Sequence, residues 1–90
     1  MPRGSPRLRA KDGRYNIVGE RVRLRREQEN MTQDALCARI ANVTSGAWNP
    51  DRRDVYRIED GRRSVYDVEL IALAEALGCE FGWLVQGTNR

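Results

Sequence analysis

The sequence predicts an all-α fold: a compact bundle of five short helices, with an extended loop between the second and the third. Two observations predict it. Apolar residues recur three or four positions apart in five separate stretches, and none of the chain reads as a strand. The stretches are punctuated by residues that start or stop helices, namely Thr32, Asp51 and Asp67 at starts, and Asn30, Gly61, Gly78 and Gly87 at ends. Ninety residues make one domain with a modest core.

The first helix is expected over residues 17–29. Val18 and Val22 lie on one face, and Glu20, Arg21, Arg23, Glu27 and Glu29 are on the polar surface. Asn30 tolerates the left-handed conformation and ends it. Thr32 caps the second helix, Asp34 sits in its first turn, and Leu36, Cys37 and Ile40 face inward. Thr44, Ser45, Gly46, Asn49 and Pro50 mark residues 41–50 as the loop, with Trp48 folding back on the core or bracing the loop. Asp51 caps the third helix, which Val55 and Ile58 anchor and Gly61 ends. The fourth helix is capped by Asp67, buries Leu70, Leu73, Ala74 and Leu77, and stops at Gly78. A fifth covers residues 80–85, with Phe81 and Leu84 inward.

Composition excludes several functions. Two cysteines outside any CxxC pair and no histidine leave no zinc site, so no metal or other cofactor is expected. The cysteines are expected as buried, reduced thiols. No apolar run is long enough to span a membrane, and no secretory signal follows the N-terminal arginines, so a cytoplasmic protein is expected. There is no phosphate-binding glycine loop and no nucleophile–base pair, so the chain is not expected to be an enzyme. The net charge of +3 is concentrated in residues 1–14, where Arg3, Arg7, Arg9, Lys11 and Arg14 face Asp12 alone. That segment reads as a flexible basic arm. It is either a solvated tail or an arm that lies along DNA phosphates or enters a minor groove. Residues 15–90 form the folded domain and are close to neutral, so local placement of charge carries the functional reading.

The third helix carries the clearest placement. Its outward face is Arg52, Arg53, Tyr56 and Arg57, with Arg52 and Arg53 at its start. A helix fits the B-DNA major groove, arginine matches guanine bidentately, and such helices enter the groove by their N-terminal residues. Asp54 is read as orienting a neighbouring arginine, with acceptance from a cytosine amino group as the alternative. Gln33, just after the Thr32 cap, is placed to donate to a backbone phosphate. Arg26 and Glu59 lie next to apolar anchors, so each needs the other as a partner. Their pairing would lock the first helix to the third and hold Arg26 near the DNA backbone.

The series Val22–Arg26, Met31-Thr32-Gln33, Leu36 to Ile40, Arg57-Ile58-Glu59-Asp60-Gly61-Arg62-Arg63, and Leu70 to Leu77-Gly78 resembles the Cro/C1-type (XRE-like) helix-turn-helix family over residues 17–87. The resemblance implies a lambda-repressor-like, five-helix DNA-binding domain, frequently dimeric, that reads palindromic operators. It implies Gln33 at the phosphate, Arg52 and Arg53 at the bases, Tyr56 and Arg57 on the next outward turn, and Arg26–Glu59 as the buried pair. Three features depart from the family: the turn is longer, Cys37 stands where alanine is preferred, and Arg25 stands where leucine is common.

The expected function is a sequence-specific double-stranded DNA-binding transcriptional regulator, a repressor, working as a homodimer. The dimer surface is expected around Trp83 and Val85. The alternatives are a DNA-binding antitoxin with a protein partner, and a protein-interaction module that binds no DNA.

Overall fold

The computed structural model describes residues 8–87. They form five helices in the expected order: α1 (Gly19–Gln28), α2 (Gln33–Val43), α3 (Arg52–Glu59), α4 (Asp67–Leu77) and α5 (Phe81–Gln86). None is long and apolar enough to cross a membrane. The core joins Val18 and Val22 of the α1 entry and helix, Met31, Leu36 and Ile40, Val55 and Ile58, Leu73 and Leu77, and Leu84. α2 packs on both α3 and α4, α1 braces α3 and α4, and α5 closes against α4.

Local chemistry accounts for most of the boundaries. α1 begins two residues later than the apolar spacing suggests, because the Asn16 carboxamide oxygen accepts the N–H groups of Val18 (3.0 Å) and Gly19 (2.8 Å). Asn30 ends α1 at φ 57°, with Met31 N–H donating to Arg26 O (3.0 Å) and Asn30 N–H to Glu27 O (3.0 Å). This pair of bonds satisfies carbonyls that a helix end otherwise leaves unpaired. Thr32 caps α2 through the Ala35 N–H (3.0 Å). α2 then runs to Val43, past the expected end near Ile40, since Leu36, Ile40 and Val43 keep one face against the core. The loop therefore narrows to residues 44–51. Within it Trp48 does fold back on the core, and its N–H donates to Thr44 Oγ1 (3.1 Å).

Three expectations need correction. Tyr66, not Asp67, is the cap of α4. Glu69 reaches back to accept the Tyr66 N–H (3.0 Å), so the reciprocal half of a capping box sets this start. Phe81 is 46% exposed rather than inward. It is the first residue of a six-residue helix, beyond the core edge, and α5 is anchored by Leu84 with Trp83 and Val85 beside it. Leu70 is only partly buried.

One close approach fixes how α1 meets α3. A methyl group on Gly19 would lie 2.3 Å from Ile58 O and 2.8 Å from Glu59 O. Both are backbone atoms and cannot swing aside. Helix propensity favours alanine over glycine by about 1 kcal/mol. The contact reverses this, and Gly19→Ala should destabilise the domain by about 2–3 kcal/mol. Thermal melting checks it, and an unchanged or raised Tm would show that the two helices can separate without loss.

Residues 1–7 of the expected basic arm, with Arg3 and Arg7, lie outside the described residues. Residues 8–14 make a turn, Gly13 N–H to Ala10 O (2.9 Å), that leads into the domain. Tyr15 N–H then donates to Gly61 O (2.8 Å), and the Asn16 amide donates to Ile58 O (3.0 Å) and Arg63 O (2.8 Å). The chain entering α1 is thereby laid across the end of α3.

Candidate nucleic-acid interface

α3 is eight residues long and is started by a reciprocal capping box. Asp51 accepts the Asp54 N–H (2.9 Å), and Asp54 accepts the Asp51 N–H (3.0 Å). The backbone bond from Asp54 holds the Asp51 carboxyl below the usual carboxylate range. Asp54 is thus a capping residue, not the arginine-orienting one expected from sequence. Val55 and Ile58 are fully buried, which turns Arg52, Arg53, Tyr56 and Arg57 outward. Tyr56 is 49% exposed. Gln33, Asp51, Arg52, Arg53 and Tyr56 line one open groove between the starts of α2 and α3. Arg52 lies 3.9 Å from Asp34 across that groove, both side chains solvated, a pairing weak enough to yield to another anion.

Beneath the groove is a buried ionic cluster. Arg26 Nε donates to Glu59 Oε2 at 2.6 Å and Arg26 Nη2 to Glu59 Oε1 at 3.1 Å. The side chains are 11% and 5% exposed. Arg26 Nη1 donates to Met31 O (2.8 Å), the carbonyl just before the Thr32 cap. Hydrogen bonding to Glu59 raises the Arg26 pKa against the opposing effect of burial. The Gln33 amide also donates to Glu59 Oε1 (3.2 Å). Five of the six residues singled out from sequence, Gln33, Arg52, Arg53, Tyr56 and Arg26, thus line this groove or the small cavity that adjoins it, lined by Arg23, Arg26, Gln33, Tyr56, Glu59 and Asp60. Arg57 is exposed on the same helix. Arg26 is turned inward, with its guanidinium committed to Glu59 and Met31.

Several supporting residues were not apparent from the sequence. Arg21 donates to Leu84 O (2.7 Å) and Val85 O (3.1 Å), and Arg25 to Leu77 O (2.9 Å) and Gly78 O (3.1 Å). One face of α1 thus satisfies the carbonyl ends of both α5 and α4, where a cation also meets the negative end of each helix dipole. This gives Arg25 a structural role at the carboxyl end of α4. Arg63 forms a bidentate pair with Glu69, both contacts 2.9 Å, and its guanidinium lies 5.7 Å from the Trp48 ring centroid. The Glu69–Tyr66 spacing was a readable signal, whereas the Arg63 partner was not. Cys37 and Cys79 are both free, and burial raises both thiol pKa values.

The Glu69 pair has a consequence for acid stability. Burial alone would raise the Glu69 pKa, but hydrogen bonds from Arg63 and Tyr66 N–H outweigh it and leave the pKa lowered. A lowered folded-state pKa contributes stability that is present above the unfolded carboxylate pKa and is lost as pH falls through the folded value. Glu69→Gln should therefore lower Tm at pH 7 and flatten the loss of Tm on acidification from pH 5 to pH 3. A variant with the wild-type pH slope would assign that acid sensitivity to other carboxylates.

No family model matches the chain, and no curated protein matches it at a significant level. Solved structures do match. The chain shares its fold with the P22 c2 repressor protein. That protein was crystallised in complex with synthetic operator 9T in the presence of Tl+. The similarity has a TM-score of 0.65 at 25% identity, over 81% of this chain and 98% of that one. The all-α, five-helix architecture expected from the sequence is thus matched in an experimental structure.

Proposed function

We propose that the chain is a sequence-specific double-stranded DNA-binding transcriptional repressor that reads the major groove with α3. The observation that carries this reading is the outward set Arg52, Arg53, Tyr56 and Arg57 on a helix with both its start and its end capped. The set is offered in a fold shared with a repressor crystallised on its operator. Arg52 and Arg53 stand at the helix start, the part that enters the groove first, and arginine reads guanine O6 and N7 with two parallel bonds. Tyr56 and Arg57 lie one turn on and reach a thymine methyl or a phosphate. Gln33 uses one amide hydrogen on Glu59 and keeps its second hydrogen to donate to a backbone phosphate.

The chain acts as a homodimer in this reading. One short helix contacts three or four base pairs, too few to single out an operator in a genome, and a two-fold pair doubles the site. The α4–α5 surface, with Phe81 exposed and Trp83 and Val85 part-covered, supplies the contact. Selection of bound duplexes from a random library tests both points. The expected product is a short half-site repeated about one helical turn away in opposite orientation. Affinity for it should fall steeply as salt rises, because phosphate contacts release counterions. Absence of any DNA binding at low salt would overturn the proposal.

A further inference from the structure

We propose that Arg63 is a positioning residue for the reading helix, acting through Trp48 on the long loop that leads into α3. The inference rests on the DNA-binding reading above. Arg63 follows α3 in the chain, two residues beyond its terminating Gly61, and Trp48 precedes α3, three residues before its Asp51 cap. The Arg63 guanidinium bridges the two sides. It is fixed by two bonds to Glu69 on α4 and one to Ser64 O (2.8 Å), and it lies against the Trp48 ring within cation–π range. Its backbone is held as well, since Arg63 O accepts from the Asn16 amide.

On the other side, Trp48 is bound into the loop by Thr44. Thr44 Oγ1 accepts the Trp48 N–H and donates to Ile40 O (2.9 Å) at the end of α2. The loop places two positive-φ residues in succession, Ser45 (52°) and Gly46 (82°), so its path depends on such fixed points. A turn of eight residues between α2 and α3 has more conformational freedom than a tight turn. The Arg63–Trp48 contact removes that freedom at the start of α3, where Arg52 and Arg53 stand. Base reading needs that start placed to within a fraction of an ångström, whereas contact with phosphates tolerates more play.

The role predicts a loss of discrimination with little loss of general DNA affinity. The experiment compares the selected operator with a random duplex at one salt concentration, and measures the salt slope, for wild type, Arg63→Met, Arg63→Lys and Trp48→Leu. Trp48→Leu keeps every charge, so it separates positioning from phosphate contact. Each variant should lower the ratio of operator to random-duplex affinity about tenfold, and the double variant Arg63→Met/Trp48→Leu should lose no more than either alone. Arg63→Lys should not rescue, because an ammonium cannot make the forked pair with Glu69. Random-duplex affinity should stay within about twofold and the salt slope should change by less than one contact. Hydrogen exchange at the Trp48 amide should accelerate in Arg63→Met while α4 beyond its first turn stays protected.

An unchanged ratio in the Arg63 variants overturns the role. So does an equal loss on both duplexes with a shallower salt slope, which would make Arg63 a phosphate contact. If the wild-type chain binds no DNA, the functional reading itself falls, and the positioning role falls with it.

Discussion

Replacing Glu59 by alanine should cost about 3–5 kcal/mol of folding stability, since it leaves the Arg26 guanidinium buried without its counter-charge. Arg26 would keep one bond, to Met31 O, and lose both carboxylate contacts. A domain of this size has about 5–10 kcal/mol in total, so much of the population should be unfolded at 37 °C. Urea unfolding followed by circular dichroism measures it. The double substitution Arg26→Met/Glu59→Leu should recover much of the loss, because removing both charges also removes their desolvation cost. A double variant no more stable than Glu59→Ala would show that the cost comes from packing. The recovered variant should still bind DNA more weakly than wild type, because Gln33 has lost the acceptor that orients its amide.

The double substitution Arg52→Ala/Arg53→Ala should abolish operator preference while leaving the fold intact. Each bidentate arginine–guanine pair provides about 1–3 kcal/mol of discrimination, so the two together should cost on the order of 30- to 20,000-fold in operator affinity. Affinity for random duplex should fall far less. Stability should barely change, because both side chains are exposed and the only ion pair lost among the described residues, Arg52–Asp34, is long and solvated. Electrophoretic mobility shifts on operator and random duplexes, beside a thermal melt, read all three quantities. Operator binding at the wild-type level would show that α3 does not read the bases.

The candidate site was legible from the sequence to the extent that its parts are local or forced. Thr32, Asp51 and Gly61 act on backbone groups within three or four residues, so their roles follow from spacing alone. The outward face of α3 follows from its two buried anchors. Arg26 and Glu59 are 33 residues apart, yet two opposite charges beside apolar anchors leave few other solutions. Local rules went wrong where a longer-range partner competed. Asp67 looked like the cap of α4, but Glu69 is held in place by Arg63 and fixes the start at Tyr66. α2 looked finished at Ile40 because threonine, serine and glycine follow, yet burial of Val43 carries it onward.

The sequence alone determined the five helices, their order, the face of α3 turned to solvent and the need for an Arg26–Glu59 pair. Tertiary structure alone decided what Arg21, Arg25 and Arg63 do, why Gly19 tolerates no side chain, and where the long loop runs. The physical reason is the range of the interactions. Caps and apolar stripes are set by neighbours one turn away, and their geometry repeats in every helix. Arg25, by contrast, bonds a carbonyl 52 residues distant. Such a partner is any unpaired acceptor that the finished packing brings within reach, and only the packed chain selects which one.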